Sequence, residues 1–206
     1  MQPGGATGMK KTRPSFVPLG KGDAAHFAAG GPSGTHTGAN EPSLPGGEFQ
    51  ERLNDTTFMA KALAQARRAF ELNEVPIGAV VVVEGKIVGR GCNKSICQSD
   101  PTAHAEILAL RQAARRLGNY RLTSATLYCT LEPCSMCAGA LIWARLARLV
   151  YAAKDPKAGA IDSHLRLAQA EFSNHRFEVV SGVMEEEAAA LLRQFFQARR
   201  RRDRAV

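Results

Sequence analysis

Two short motifs constrain this chain more than any other part of its sequence. The first is His104-x-Glu106 and the second is Cys134-x-x-Cys137. One imidazole and two thiolates make three zinc ligands, which leave a fourth tetrahedral position for water, as in catalytic zinc sites. The two motifs lie 30 residues apart. The chain can therefore bind one metal ion through both motifs only if its fold brings them close together.

The spacing of the two cysteines fits the start of a helix. Cys134 and Cys137 share one helical face if the helix begins at Pro133. A helix N-terminus and a bound metal both favour the thiolate. Glu106 lies two residues past His104 and can serve the water instead of the metal. The expected chemistry is attack of a zinc-bound hydroxide on an amine-bearing ring carbon, with Glu106 carrying the protons.

Other interpretations of these residues remain open at this point. A structural zinc site would need a fourth ligand, and Cys92, Cys97 and Cys129 are candidates. We expect Cys129 to lie in the core of a strand. His164 and His175 are interpreted as surface or structural groups. A zinc-stabilised binding module without activity is a further alternative, but the presence of Glu106 argues against it.

Composition divides the chain into two parts. Residues 1–50 are rich in Gly, Pro, Ser, Thr and Ala and lack apolar periodicity, so we expect a disordered leader. It carries four basic and three acidic residues, and most of the formal net charge of +8 therefore lies on residues 51–206. The leader's acidic residues and glycines argue against a transit peptide and favour a non-conserved tail or a mis-assigned start codon. The second part is the expected zinc-dependent domain.

The bulk properties also exclude some classes of protein. No stretch has the length and apolarity of a membrane span or secretory signal. Five cysteines, two of them assigned to metal, do not suggest a disulfide framework, and a reducing cytoplasm fits. The basic balance favours an anionic partner. It is strongest at the C-terminus, which holds Arg199, Arg200, Arg201, Arg202 and Arg204.

Apolar periodicity predicts a hairpin followed by repeated β-α crossovers. This order is typical of an α/β protein, a three-layer α/β/α sandwich around a mixed sheet of about five strands. Ligands of such sheets bind where strand C-termini meet, and both metal motifs follow strands. The predicted strands cover residues 77–83, 87–91, 125–130, 149–153 and 177–181, and the predicted helices 58–72, 103–117, 134–144, 165–169 and 185–202.

Longer stretches of the chain resemble the bacterial tRNA-specific adenosine deaminases, within the cytidine deaminase-like superfamily. The resemblance covers roughly residues 58–202, about three quarters of the chain. The sequence departs from the family pattern at residues 98–99 and 152–164, outside the metal motifs. The matching stretches are Glu74-Val75-Pro76-Ile77-Gly78-Ala79-Val80, Asp100-Pro101-Thr102-Ala103-His104-Ala105-Glu106, Asn119-Tyr120-Arg121-Leu122, Thr130-Leu131-Glu132-Pro133-Cys134, Asn174-His175-Arg176 and Phe195-Phe196.

The resemblance implies a function. Its members convert the adenosine at the wobble position of a tRNA anticodon loop to inosine, and loop bases are easily turned out into a pocket. It implies one Zn²⁺ per subunit, held by His104, Cys134 and Cys137, with Glu106 catalytic. It also implies a homodimer, and the apolar helix after Cys134 is the expected interface. The implied substrate-binding residues are Asn93, Ile77, Leu131, Asp155, Phe195, Phe196, Arg199 and Arg200.

A different substrate class is the main alternative. The zinc motifs alone would also fit a guanine, cytosine or cytidine deaminase that acts on free bases or nucleosides. The basic, aromatic C-terminal helix favours an RNA substrate, because a free-base enzyme would not need it. Phe195 and Phe196 could instead pack against the core, and the arginines could form a solvated tail.

Overall fold

The valine-rich segment after Pro76 forms the first strand of the central sheet. The structure, a computed structural model, describes residues 46–171 and 173–203, with side chains from residue 51 onward. The strands are β1 (Gly78–Val83), β2 (Lys86–Cys92), β3 (Thr126–Leu131), β4 (Arg148–Ala153) and β5 (Glu178–Ser181). The helices are α1 (Gly46–Glu71), α2 (Ala105–Leu117), α3 (Ser135–Trp143) and α4 (Glu185–Asp203).

The strands form a five-stranded mixed sheet in the order β2-β1-β3-β4-β5. β1 pairs antiparallel with β2 through the predicted hairpin and antiparallel with β3. β4 pairs parallel with β3, and β5 pairs parallel with β4. Parallel neighbours need crossover connections, and the first of these crossovers contains α3.

Alternating side chains of the central strands divide the core into two halves. One half packs against α2 and α3 and includes Ala79, Val81, Leu127, Cys129, Leu149 and Tyr151. The other half packs against α1 and α4 and includes Val80, Val82, Tyr128, Val150 and Ala152. The predicted α/β/α sandwich is therefore confirmed, and Cys129 lies in the core as expected.

Two of the predicted helices differ from the observed ones. α1 begins at Gly46, twelve residues before the predicted start at Phe58. It therefore takes in residues 46–50, which were assigned to the leader; residues 1–45 lie outside the described residues. The segment predicted as a helix at 165–169 is a single 3-10 turn, Leu167–Gln169. No helix in the described part of the chain is long and apolar enough to cross a membrane.

Candidate active site

His104 is placed by the close approach of α2 to the sheet. It caps α2 in an extended backbone conformation, with φ −76° and ψ 152°. Gly91 of β2 lies so near this helix that a Cβ there would approach the Ala105 carbonyl oxygen to 2.0 Å. The carboxamide oxygen of buried Asn93 accepts a hydrogen bond of 2.9 Å from the backbone N–H of Ala105. Asn93 thereby fixes the end of the helix that carries His104.

The two cysteines meet His104 at the start of α3. Cys134 caps this helix and Cys137 lies in its first turn. His104 Nδ1 lies 3.7 Å from Cys134 Sγ and 3.6 Å from Cys137 Sγ. A tetrahedral zinc with ordinary bond lengths separates its nitrogen and sulfur ligands by about 3.6 Å. The spacing of the three side chains therefore fits zinc.

The group contains three possible ligands and no fourth. Among the described residues, only His104, Cys134 and Cys137 bring metal-binding atoms within 4.8 Å of one another in a group of three or more. Cys92, Cys97 and Cys129 are not members of it, so the structural-zinc alternative lacks its fourth ligand. His175 Nε2 lies 2.6 Å from the Leu146 carbonyl oxygen, as expected for a structural group.

The pKa values of the two thiols are shifted in opposite directions. A hydrogen bond from Cys137 is the largest effect on Cys134 and, with His104, lowers the pKa of the Cys134 thiol to about 4. The same hydrogen bond to Cys134 raises the pKa of the Cys137 thiol, and burial adds to the rise. The hydrogen bond to Cys134 also raises the pKa of His104. Cys134 is thus a thiolate at neutral pH, and a divalent cation would displace the remaining thiol proton.

Glu106 is buried beside the three ligands without belonging to their group. Its side chain is 3% exposed, and burial raises the pKa of its carboxyl group. Among the described residues, Glu106 Oε2 is the one buried side-chain oxygen or nitrogen with no hydrogen-bond partner. Such an atom costs free energy, and its presence in a native fold therefore calls for a functional explanation. An unpaired, proton-accepting carboxylate oxygen is what a proton carrier requires.

Four of the expected substrate-binding residues line one cleft of about 450 Å³. Ile77, Leu131, Asp155 and Phe196 surround it, with Leu192 of α4 between them. Leu131 ends β3, three residues before Cys134. Asp155 Oδ1 accepts hydrogen bonds from the N–H groups of the next loop residues, at 2.9 and 3.2 Å. The cleft is therefore bordered by the edge of the sheet, by the loop after β4 and by helix α4.

Phe195, one of the expected RNA contacts, has its side chain in the core. Phe195 is 2% exposed, and its ring packs edge-on against Phe70 at a centroid distance of 5.6 Å. Phe196, one residue later, is 42% exposed and faces the cleft. Consecutive helical residues point about 100° apart, so one aromatic ring anchors α4 while its neighbour remains accessible.

The arginines at the end of α4 are exposed. Arg199 lines a second cavity, of about 280 Å³, together with Ile96 and Arg202. Arg202 donates a hydrogen bond to Asn73 Oδ1 at 3.1 Å. Arg200 is exposed and lines none of the cavities described here. The structure therefore places Arg199 and Arg200 on the surface but does not bring them to the metal-binding residues.

Glu132 is a buried residue whose importance the sequence did not reveal. It is 2% exposed, and its carboxylate accepts hydrogen bonds from several residues of the loop after β4. Burial raises the pKa of Glu132, but the Ser163 hydroxyl and the loop N–H groups outweigh it and lower the pKa to about 2. A charged residue directly before Pro133-Cys134 was the available signal.

Comparison with known proteins agrees with this geometry. Residues 53–200 match the MafB19-like deaminase family. A tRNA-specific adenosine deaminase from Haemophilus influenzae is 51% identical over 74% of this chain and 86% of the relative. The chain belongs to the tRNA-specific adenosine deaminase family. The assignment covers the domain that carries both metal motifs.

Solved structures support the family assignment. One, from a study of A-to-I editing by tRNA:A34 deaminases at the wobble position of transfer RNA, is 48% identical. It superposes with a TM-score of 0.65 and covers 66% of this chain and 99% of its own. A guanine deaminase from Nitrosomonas europaea is 25% identical, with a TM-score of 0.56, and covers 79% of this chain and 98% of its own. The free-base enzyme is thus the more distant of the two.

Proposed function

We propose that this protein hydrolyses the wobble adenosine of a tRNA anticodon loop to inosine, releasing ammonia. The observation that carries the proposal is a His104–Cys134–Cys137 group, half-buried at His104 and Cys134 and buried at Cys137, beside the unpaired oxygen of Glu106. The family relatives that match most of this domain are tRNA-specific adenosine deaminases. A three-ligand site and a free carboxylate are the two parts that hydrolytic deamination of a base requires.

Three residues of the site would bind the metal, and a fourth would transfer protons. His104 Nδ1 and the Sγ atoms of Cys134 and Cys137 would hold one zinc per subunit. Zinc in a three-ligand site lowers the pKa of a bound water to about 7. Glu106 would take the two protons of the attacking water in turn, delivering the first to the ring nitrogen and the second to the departing amine. Its burial keeps bulk water from competing for those protons.

The cleft and Asn93 would bind the extruded nucleoside. Ile77 and Leu131 offer apolar walls for a flat base, and Phe196 offers an exposed ring for a neighbouring base. Asn93 uses its carboxamide oxygen to fix α2, which leaves the amide N–H groups as donors to the substrate. Asp155 lies in the loop that closes the cleft. Arg199 and Arg200 would contact phosphates of the anticodon stem.

We also propose a homodimer formed through α3. Trp143 at the end of this helix is 78% exposed, and Tyr120 beside it is 63% exposed. Both line an apolar depression of about 380 Å³ that includes Ile107 and Leu110 of α2. Exposed aromatic residues around an apolar depression are typical of protein interfaces. A second copy of the chain would cover this surface.

The proposed location is the cytoplasm. All five cysteines are free, and the zinc ligands among them must stay reduced. The substrate, a tRNA, is consistent with that compartment. The proposed domain organisation is a leader over residues 1–50 and a deaminase domain over residues 51–206, with the first turn of α1, from Gly46, crossing that boundary.

Deamination of defined substrates tests the proposal. The zinc-loaded protein should form inosine in an anticodon stem-loop with adenosine at the wobble position. A stem-loop with adenosine moved to another loop position should react at least tenfold more slowly. Guanine, cytidine and free adenosine serve as competing substrates. Turnover of guanine or cytidine without reaction of the stem-loop would replace this proposal with the free-base alternative.

A further inference from the structure

The Glu132 carboxylate accepts hydrogen bonds from several donors of one loop. Its Oε1 atom accepts backbone N–H groups of Ile161, Asp162 and Ser163 at 3.1, 2.8 and 2.9 Å. Its Oε2 atom accepts the N–H of Asp155 at 3.1 Å and the Ser163 hydroxyl. Five donors of one segment thus converge on this carboxylate. We call the segment the 154–164 loop.

The loop also closes tightly around this carboxylate. Gly159 approaches so near that a Cβ there would lie 2.3 Å from Glu132 Oε2. The same glycine pairs with Cys134 in an isolated β-bridge, and Ala160 donates a hydrogen bond of 2.9 Å to the Pro133 carbonyl. The 154–164 loop thus contacts the backbone of Pro133 and Cys134, the segment that carries one of the proposed metal ligands.

The 154–164 loop forms one wall of the cleft. Lys154, Asp155 and Lys157 of this loop line it together with Ile77 and Leu131. Glu132 follows Leu131 directly in the chain, so one residue of the strand end lines the cleft and the next binds the loop that lines it as well. The loop lacks regular secondary structure, and its conformation therefore depends on side-chain partners.

A second interaction supports the same arrangement. The Tyr151 hydroxyl of β4 donates a hydrogen bond to the Asp162 carboxylate, and the Asp162 N–H donates to Glu132. Tyr151 is fully buried. The loop is therefore attached to the Glu132 carboxylate through Asp155, near its start, and through Asp162, near its end.

We propose that Glu132 is a positioning residue that holds the 154–164 loop in the shape required for RNA binding. It is not a member of the group formed by His104, Cys134 and Cys137, and it acts through the loop. This proposal rests on the proposed RNA deamination for its kinetic part only. If the loop loses its anchor, the cleft wall shifts while the metal group and Glu106 stay in place. The Michaelis constant for the stem-loop then rises more than kcat falls.

Glu132→Gln tests the proposal, with Glu178→Gln as the matched control. Glutamine has the size of glutamate but replaces one acceptor oxygen with an amide nitrogen, which cannot accept the loop N–H groups. Glu178 lies on β5 and contacts Arg148 at the surface, away from the loop. Hydrogen exchange should accelerate at the N–H groups of Asp155 and residues 161–163 in Glu132→Gln and not in the control.

The kinetic result should separate binding from chemistry. We expect KM for the stem-loop to rise about tenfold, a loss of ~1.4 kcal/mol of binding. Zinc content should remain at one per chain and kcat should change less than threefold. Unchanged exchange and unchanged KM would overturn the proposal. Equal loss of zinc and kcat would also overturn it, because Glu132 would then serve the metal segment.

A milder variant keeps the proposal testable if Glu132→Gln fails to fold. Ser163→Ala removes one donor to the carboxylate and leaves the four N–H groups in place. It should accelerate exchange in the 154–164 loop and raise KM in the same direction by a smaller factor. Exchange does not depend on the substrate, so it reports on Glu132 even if the wild-type protein does not deaminate RNA. Exchange unchanged in both variants would exclude the positioning role.

Discussion

Glu106 and Glu132 are both buried glutamates, but their surroundings give them opposite chemistry. Glu106 has an oxygen without a hydrogen-bond partner, and burial raises its pKa. Glu132 accepts hydrogen bonds from four backbone N–H groups and one hydroxyl, and its pKa is about 2. Burial favours the neutral acid, whereas donated hydrogen bonds favour the anion. One residue is therefore suited to move protons and the other to remain charged.

Zinc binding provides a test at the scale of single residues. Cys134→Ala removes one of the three proposed ligands, so the protein should lose its zinc. The ligands come from separate segments, and the metal therefore adds to the free energy of folding. The variant should melt at a lower temperature than the zinc-loaded wild type. Elemental analysis with thermal unfolding checks both effects, and full zinc content in Cys134→Ala would exclude Cys134 as a ligand. Cys97→Ala, at an exposed cysteine outside the group, should change neither.

At the scale of secondary structure, a buried ion pair attaches α1 to β4. Arg148 makes two hydrogen bonds to the Asp55 carboxylate, at 2.8 and 2.9 Å. The Tyr128 hydroxyl donates a third, at 2.9 Å. Asp55 is 4% exposed, so these partners take the place of the water that its carboxylate would otherwise contact. The first turns of α1 are thus held by partners 73 and 93 residues away in the chain.

Removing one partner of this pair should destabilise the fold strongly. Arg148→Met leaves the buried Asp55 carboxylate without its cation, which typically costs about 3–5 kcal/mol. Urea unfolding measures the change. The exposed pair between Arg193 and Glu186, at 3.4 Å, provides the control, because Arg193→Met should cost at most ~1 kcal/mol. Equal effects of the two substitutions would contradict a structural role for the buried pair.

The start of α1 shows why part of the fold could not be predicted. Its second half carries apolar residues at helical spacing, including Met59 and Leu63, and was predicted. Its first half is polar. The position of that half depends on the contact between Asp55 and Arg148, which lies 93 residues away and which no local sequence pattern reveals. Phe195 and Phe196 show the same limit, because helical spacing alone did not determine which ring faces the core. The proximity of His104, Cys134 and Cys137 was predictable, because the chemistry of a metal site restricts both residue type and spacing.

The end of α4 provides a second test at the scale of an element. Deleting residues 199–206 removes five arginines and one aspartate. Each arginine that neutralises a phosphate contributes roughly 0.7–0.9 to the log–log salt dependence of RNA binding. The truncated protein should therefore bind the stem-loop more weakly and with a shallower slope, and kcat should fall less than affinity. Deletion of residues 1–45 is the control and should change neither. The opposite result would place the RNA surface in the leader.

At the scale of the whole molecule, we predict an assembly of two chains. Trp143→Asp places a charge on the exposed apolar surface of α3, and the dimer should dissociate. Light scattering should change from twice the chain mass to the chain mass. Leu53→Asp makes the same kind of change on α1, where Leu53 is 47% exposed, and should leave the dimer intact. A wild-type monomer with full activity would contradict the proposed assembly.

Glu106→Gln tests the proposed mechanism most directly, since it removes the proton carrier and preserves its size. Inosine formation in the wobble stem-loop, measured at saturating RNA beside the zinc content of the same sample, is the decisive measurement. We predict one zinc per chain and a rate lower by about 10²–10⁴-fold, the usual contribution of general acid–base catalysis. Near-normal inosine formation by Glu106→Gln with zinc bound would contradict the role of Glu106 as the proton carrier.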